Sequence, residues 1–189
     1  MQQGLDDEDL WFEMAYTASA THGLNAVADG LRLPLDFAGA AGTGNGGAPP
    51  FIPLLSYEEA SGSVRRIYDD IKAYYAMDDV PNVFTAIADD ATYLRETWSY
   101  VKGTFTTKKL ERSFKECLAF AVSLTGKSAY GADFHLREMR RLGVSPKAVR
   151  EVIQVTQLFN VATKLADALH LEPDLSPQVI KAQRQKTAP

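Results

Sequence analysis

Apolar positions in this chain recur at helical spacing. Val64, Ile67, Tyr68 and Ile71 fall at i, i+3, i+4 and i+7, one face of a helix. Tyr93, Leu94, Trp98 and Val101 mark a second helix, with Asp90 placed to cap it. A third runs from about Lys108 to Thr125, where Gly126 stops it; a fourth opens at Ser128 and ends at Gly143. Ser145-Pro146 sets an N-cap before a proline at the first helical position, and that helix reaches about His170. Ser176-Pro177 repeats the device for a short, basic C-terminal helix. The acids at 6–9 suit the positive end of a first helix that runs to about Leu31. Ser56 and Glu59 are placed to form a capping box ahead of the 64–71 stripe, with Gly62 weakening that turn, and Val83–Ala88 reads as a short helix after Pro81-Asn82. No segment alternates with period two between turns, so the expected fold class is all-α.

Charge divides the chain. Residues 1–50 carry seven acids and one base, a net −6, while the remainder is +2. Between them AGAAGTGNGGAPP, residues 38–50, has no periodicity and reads as a flexible linker. The expected organisation is a helical arm over 1–37, the linker over 38–50, a main domain over 51–175 and a basic tail over 176–189. Residues 9–36 also lie over 147–174 at an offset of 138, with Glu13/Glu151, Ala28/Ala166, Asp29/Asp167, Leu31/Leu169, Leu33/Leu171 and Asp36/Asp174 identical. Either the first helix is a copy of the late one, or two amphipathic helix ends converge on similar letters.

Composition removes several function classes. One cysteine, Cys117, excludes an intrachain disulfide, a CxxC redox pair and multi-cysteine metal clusters. Three histidines, His22, His135 and His170, leave little for a histidine-rich metal centre. The net charge of −4 argues against a nucleic-acid partner, and no apolar run approaches the roughly 20 residues of a membrane helix. With an acidic N-terminus that lacks an apolar leader core, the expected location is the cytoplasm. No cofactor is expected.

Glu116 opens the stretch Cys117–Leu124, apolar on nearly every side, which makes a buried helix. A carboxylate at its start is partly desolvated, which favours the protonated form and suits acid/base work. The structural alternative is an ion pair with Arg112 or Lys115, pointing outward at a helix edge. Ser128, Gly131 and His135 fall at i, i+3 and i+7, on one helix face, with His135 on its apolar side. Tyr130 is placed to line a pocket; Asp133 reads as a solvated residue. His22 and His170 read as structural or surface residues. Cys117 has no adjacent base to activate it and reads as packing.

The frame Glu116, eleven residues, Ser128, two residues, Gly131, three residues, His135 resembles the carboxymuconolactone decarboxylase-like family, which includes the alkylhydroperoxidase-D type. Arg141-Leu142-Gly143-Val144-Ser145-Pro146 with Val149, Glu151 and Val152 looks like the family's turn and following helix. Val80-Pro81-Asn82-Val83-Phe84, Leu94 and Trp98 are similar to the leading helices of its peroxidase-related branch. The resemblance covers about 51–174. It implies an alkylhydroperoxidase-D-like helical bundle, here with an extra N-terminal helix, and a homo-oligomer, a trimer or hexamer. In the family's redox members the positions matching Ser128 and Gly131 are the two working cysteines, while the Glu and His relay protons. Here Glu116 and His135 carry over and the thiols do not.

The expected function is therefore cofactor-independent acid/base chemistry on a small organic acid or lactone, of the decarboxylase, isomerase or lactone-processing class. Glu116 and His135 are the catalytic candidates, with Ser128, Tyr130 and Gly131 lining the pocket. The alternatives are a non-catalytic oligomeric or ligand-binding member, and residual peroxide chemistry through Cys117.

Overall fold

The computed structural model describes residues 8–37 and 49–171. Among them are seven helices and no strand: α1 (Glu8–Gly30), α2 (Gly62–Tyr75), α3 (Asn82–Thr85), α4 (Ala91–Phe105), α5 (Arg112–Gly126), α6 (Ala129–Arg141) and α7 (Pro146–Ala168). The fold is all-α, as the apolar spacing predicts. Most of the linker, and the whole segment expected as a C-terminal helix and tail, lie outside the described residues. No helix among the described residues is long and apolar enough to cross a membrane.

Local chemistry explains where these helices begin. The Asp90 carboxylate accepts from the Thr92 and Tyr93 amides at the head of α4. The Ser128 hydroxyl accepts from the Gly131 amide at the head of α6. The Ser56–Glu59 box forms too, with Ser56 N–H donating to Glu59 at 3.1 Å. It caps only a turn, however. Gly62 has φ +57°, and α2 starts there rather than at the box.

The chain divides after Ile153 into two compact units, so α7 begins in the first and ends in the second. In the first unit the apolar core is aromatic. Trp98 of α4 meets Phe84 of α3 edge-on at 5.5 Å and Tyr74 of α2 at 5.3 Å, and Tyr75 meets Phe134 of α6 at 5.1 Å. Val64, Tyr68 and Ile71 of α2, with Leu94, Val101 and Phe105 of α4, complete it.

The N-terminal helix is part of this unit. α1 packs against α5, α6 and α4 and buries Thr17, Ala20, Thr21, Asn25 and Ala28. That face is small and partly polar, which lets α1 lie close. Its hydroxyls are satisfied by its own carbonyls, Thr17 on Glu13 at 2.7 Å and Thr21 on Thr17 at 2.8 Å. Glu13 fixes one end: it pairs with the buried Lys115 ammonium at 2.8 Å and accepts from the Lys109 and Leu110 amides.

The sequence repeat has a structural counterpart. α1 and α7 are both 23 residues long and are offset by 138 residues. Each ends in the same cap. Arg32 and His170 both take positive φ, +56° and +50°. Leu33 N–H donates to Ala28 O, and Leu171 N–H to Ala166 O.

Candidate functional site

The α5–α6 pair brings Glu116 and His135 together. Glu116 Oε2 lies 2.8 Å from His135 Nδ1, with Glu116 1% and His135 5% exposed. The reason is helical register. Glu116 sits one turn into α5 and His135 near the middle of α6, and both point between the two helices. Phe105 stacks on the imidazole at 5.8 Å and Phe134 meets it edge-on at 5.5 Å, so the ring is held on two sides by apolar surface.

The ion pair with Arg112 also exists, but inside the protein rather than at an edge. Arg112 Nε is 3.6 Å from Glu116 Oε1, close enough for charge compensation and too far for a hydrogen bond. Both atoms are buried without a hydrogen-bond partner. The rest of the guanidinium is committed: it donates to Glu138 at 2.7 Å and to Tyr74 O at 3.2 Å, and it lies over the Tyr74 ring at 4.0 Å. Glu138 is in turn gripped by Arg141, at 2.9 and 2.7 Å. Two carboxylates and two guanidiniums thus neutralise each other around the imidazole. The i, i+4 step from Arg112 to Glu116 signals this network in the sequence; nothing there marks Glu138 as a member.

Of the residues expected to line the pocket, Tyr130 and Gly131 do so beside His135, in a cavity of about 20 Å³. Leu24 and Asn25 of α1 close it. Ser128 is not among its lining residues. Its hydroxyl caps α6 and donates to Asp29 of α1 at 3.1 Å, so it is not a free donor toward a ligand. The Tyr130 hydroxyl is committed as well, donating to Asp36 at 2.5 Å and accepting from the Val83 amide at 3.1 Å. Burial pushes its ionisation well above the ordinary tyrosine value, with the Asp36 charge adding to it.

Asn25 is the residue that sequence reasoning missed. It donates to Ser123 Oγ at 3.0 Å. A Cβ built on Gly131 would fall 2.1 Å from Asn25 Oδ1 and 2.5 Å from Ser123 Oγ. The space a side chain at 131 would need is therefore held by α1. Asp133, expected in solvent, instead has one oxygen buried without a partner, and burial raises its pKa. His22 and His170 are exposed, in keeping with a surface role. Cys117 is half-buried; burial and then the Glu116 charge push its thiol up, away from the thiolate. Among the described residues no group of three or more His, Cys, Asp or Glu side chains is arranged to hold a metal ion.

The helical bundle that holds this pair has an alkylhydroperoxidase-D-like fold. The similarity is measurable: the crystal structure of the alkylhydroperoxidase AhpD core from Rhodospirillum rubrum matches with a TM-score of 0.56 and 28% identity. The match covers 59% of this chain and 83% of that one. Residues 91–171, which hold both members of the pair, match the model of the carboxymuconolactone decarboxylase family. No curated protein matches it.

Proposed function

We propose that this chain is a cytoplasmic, carboxymuconolactone decarboxylase-like protein without the redox cysteine pair, and that it performs cofactor-independent acid/base chemistry on a small organic acid or lactone. The observation that carries the reading is the buried 2.8 Å contact between Glu116 and His135 at the wall of a cavity. With Glu116 ionised, Nδ1 carries the imidazole proton and Nε2 keeps its lone pair. That nitrogen takes a proton from a carbon next to a carbonyl, and the electron pair moves onto the carbonyl oxygen. The imidazolium then returns the proton to carbon. In a decarboxylation the C–C bond breaks, CO₂ leaves with the electron pair staying on carbon, and His135, having taken a proton from water, delivers it to that carbanion. Glu116 Oε1 and Arg112 Nε, an ion pair at 3.6 Å buried without a hydrogen bond to either atom, support the reading, because such atoms are uncommon in a folded protein and a catalytic role is one reason for them.

The test is turnover of carboxymuconolactone and a panel of related lactones by the full chain. Glu116→Gln and His135→Asn should each lower kcat at least 100-fold while the helical circular dichroism is kept. Unchanged turnover in either variant removes the mechanism.

A second reading, a non-catalytic member, is favoured by the size of the same cavity. About 20 Å³ holds one water, not an organic acid. Asn25→Ala, which widens the cavity from the α1 side, separates the two. It should raise kcat/KM on the acid/base reading and leave a protein without turnover on the other. Peroxide chemistry ranks third, since the one thiol is held in its protonated form.

A further inference from the structure

The small cavity beside His135 shares a wall with a larger one. Leu24 of α1 and Val83 of α3 line that cavity of about 20 Å³, and both also line a hollow of about 290 Å³ on the seam between α1 and α4. The sequence explains why the seam stays hollow. Ala20, Leu24 and Val27 recur at i, i+4 and i+7, a stripe of α1 beside its buried face of Thr17, Thr21, Asn25 and Ala28. Across the seam α4 presents Thr97, Tyr100 and Val101. On the α1 side Ser19, Ala20 and Gly23 supply little volume, and a Cβ on Gly23 would have nothing within 4 Å. Such small side chains leave the space between two helices unfilled.

The two residues of the shared wall are held differently. Val83 is buried, and its amide donates to the Tyr130 hydroxyl at 3.1 Å, which fixes its backbone. Leu24 is half-buried, and its side chain can change rotamer without breaking a hydrogen bond. Leu24 is therefore the part of the wall that can give.

Neither compartment offers a charge to an anion. No lysine or arginine is among the residues that line them. The Arg112 guanidinium behind the Glu–His pair is committed to Glu138 and to the Tyr74 carbonyl. A carboxylate placed in either compartment would lose its hydration with no counter-ion in return. The inner one holds the Asn25 amide and the His135 imidazole; the outer one is walled by Val27, Ile87 and Val101. Mostly apolar walls with a few convergent polar groups are what a small-molecule site needs, and about 300 Å³ is enough for one.

We propose that the two hollows are one binding site divided by Leu24, and that its ligand is an uncharged lactone carrying an aliphatic or aromatic group. The lactone carbonyl enters the inner compartment beside His135, and the apolar group stays between α1 and α4. That the inner end is a carbonyl rests on the acid/base reading given above; the two compartments and their selection against anions do not.

The probes are γ-phenyl-γ-butyrolactone and phenylbutyrate, alike in size and different in charge. Titrated into the full chain and followed by NMR, the lactone should shift the Gly23 amide and the His135 ring protons with one common Kd. Phenylbutyrate should bind at least tenfold more weakly. Leu24→Ala, which opens the shared wall, should tighten the lactone at least threefold. Gly23→Leu adds a side chain at an exposed helical position with room for it. It fills the outer compartment and should weaken the lactone at least tenfold with unchanged circular dichroism. Shifts confined to Gly23, the absence of any saturable shift, phenylbutyrate binding as tightly as the lactone, or unchanged binding in Gly23→Leu overturns the proposal. Failure of the acid/base reading shows separately: the lactone binds as stated, yet Glu116→Gln and His135→Asn leave turnover unchanged, and the two-compartment site stands.

Discussion

Gly131 sits beside His135 in surroundings that leave no room for a side chain. Its Cα faces the Asn25 amide and the Ser123 hydroxyl, which hydrogen-bond each other at 3.0 Å. Any Cβ there must displace one of them. Gly131→Ala should cost about 2–3 kcal/mol in denaturant unfolding, the range of an overpacked core. Pairing it with Asn25→Gly should recover most of the loss, because the clash and its relief share one space. An additive double variant would refute the claim that α1 occupies the position. The chain's single thiol, Cys117, is not activated. Burial and the Glu116 charge both hold Cys117 protonated, so it should react with a disulfide reagent at neutral pH no faster than an unstructured thiol peptide.

At the scale of elements, α1 behaves as a wall of the site rather than as an appendage. Glu13 anchors it through the buried Lys115. Burial alone would raise the Glu13 carboxyl, but the Lys115 ammonium and the Lys109 and Leu110 amides outweigh it and hold the pKa down at about 2. A depressed carboxylate stabilises the fold above its unfolded pKa, and that contribution is lost as pH falls toward 2. Glu13→Gln should therefore destabilise the protein by about 3 kcal/mol at pH 7, since it leaves a buried lysine without its counter-ion, and by progressively less between pH 4.5 and 2. Urea midpoints of both chains across that range would show it. Helix existence and most caps were legible in the sequence, because Asp90, Ser128 and Ser145-Pro146 act through local hydrogen bonds and fixed φ. The Ser56 box forms, and Gly62, which the sequence marks as weakening that turn, is where the left-handed backbone sets the start of α2. The Glu116–His135 pair was legible through the resemblance of its frame to the carboxymuconolactone decarboxylase-like family, not from either residue alone. The role of Asn25 was not, because it depends on a contact 98 residues away in sequence.

At the scale of the whole molecule, the end of α1 is tied to the rest of the first unit by a second, partly buried acid. Asp36 accepts from the Asn82 amide at 2.7 Å, at the head of α3, and from the Tyr130 hydroxyl of α6. Burial is the dominant influence on it. The Asn82 and Tyr130 hydrogen bonds and the Arg137 charge pull the other way, Asp133 adds to the rise, and the result is a pKa of about 6. A raised carboxyl has the opposite consequence from Glu13. The folded state holds its proton where the unfolded chain has released it, so the stabilisation is complete below about pH 4 and is lost as pH rises through 6. Wild-type stability should thus fall by about 3 kcal/mol on account of this group between pH 3 and 7, about two thirds of it between pH 4 and 6. Asp36→Asn keeps a side-chain oxygen for the Asn82 amide and cannot ionise, so its unfolding free energy should lack that decline and gain on wild type as pH increases. Because Tyr130 joins Asp36 to the cavity wall beside His135, the same transition should reach the candidate site. The His135 ring-proton shifts should register the Asp36 titration in the wild-type chain, and that inflection should vanish in Asp36→Asn. Parallel stability curves for the two chains from pH 4 to 7 would mean that Asp36 ionises freely and that the tie to α3 and α6 is not made through its carboxylate.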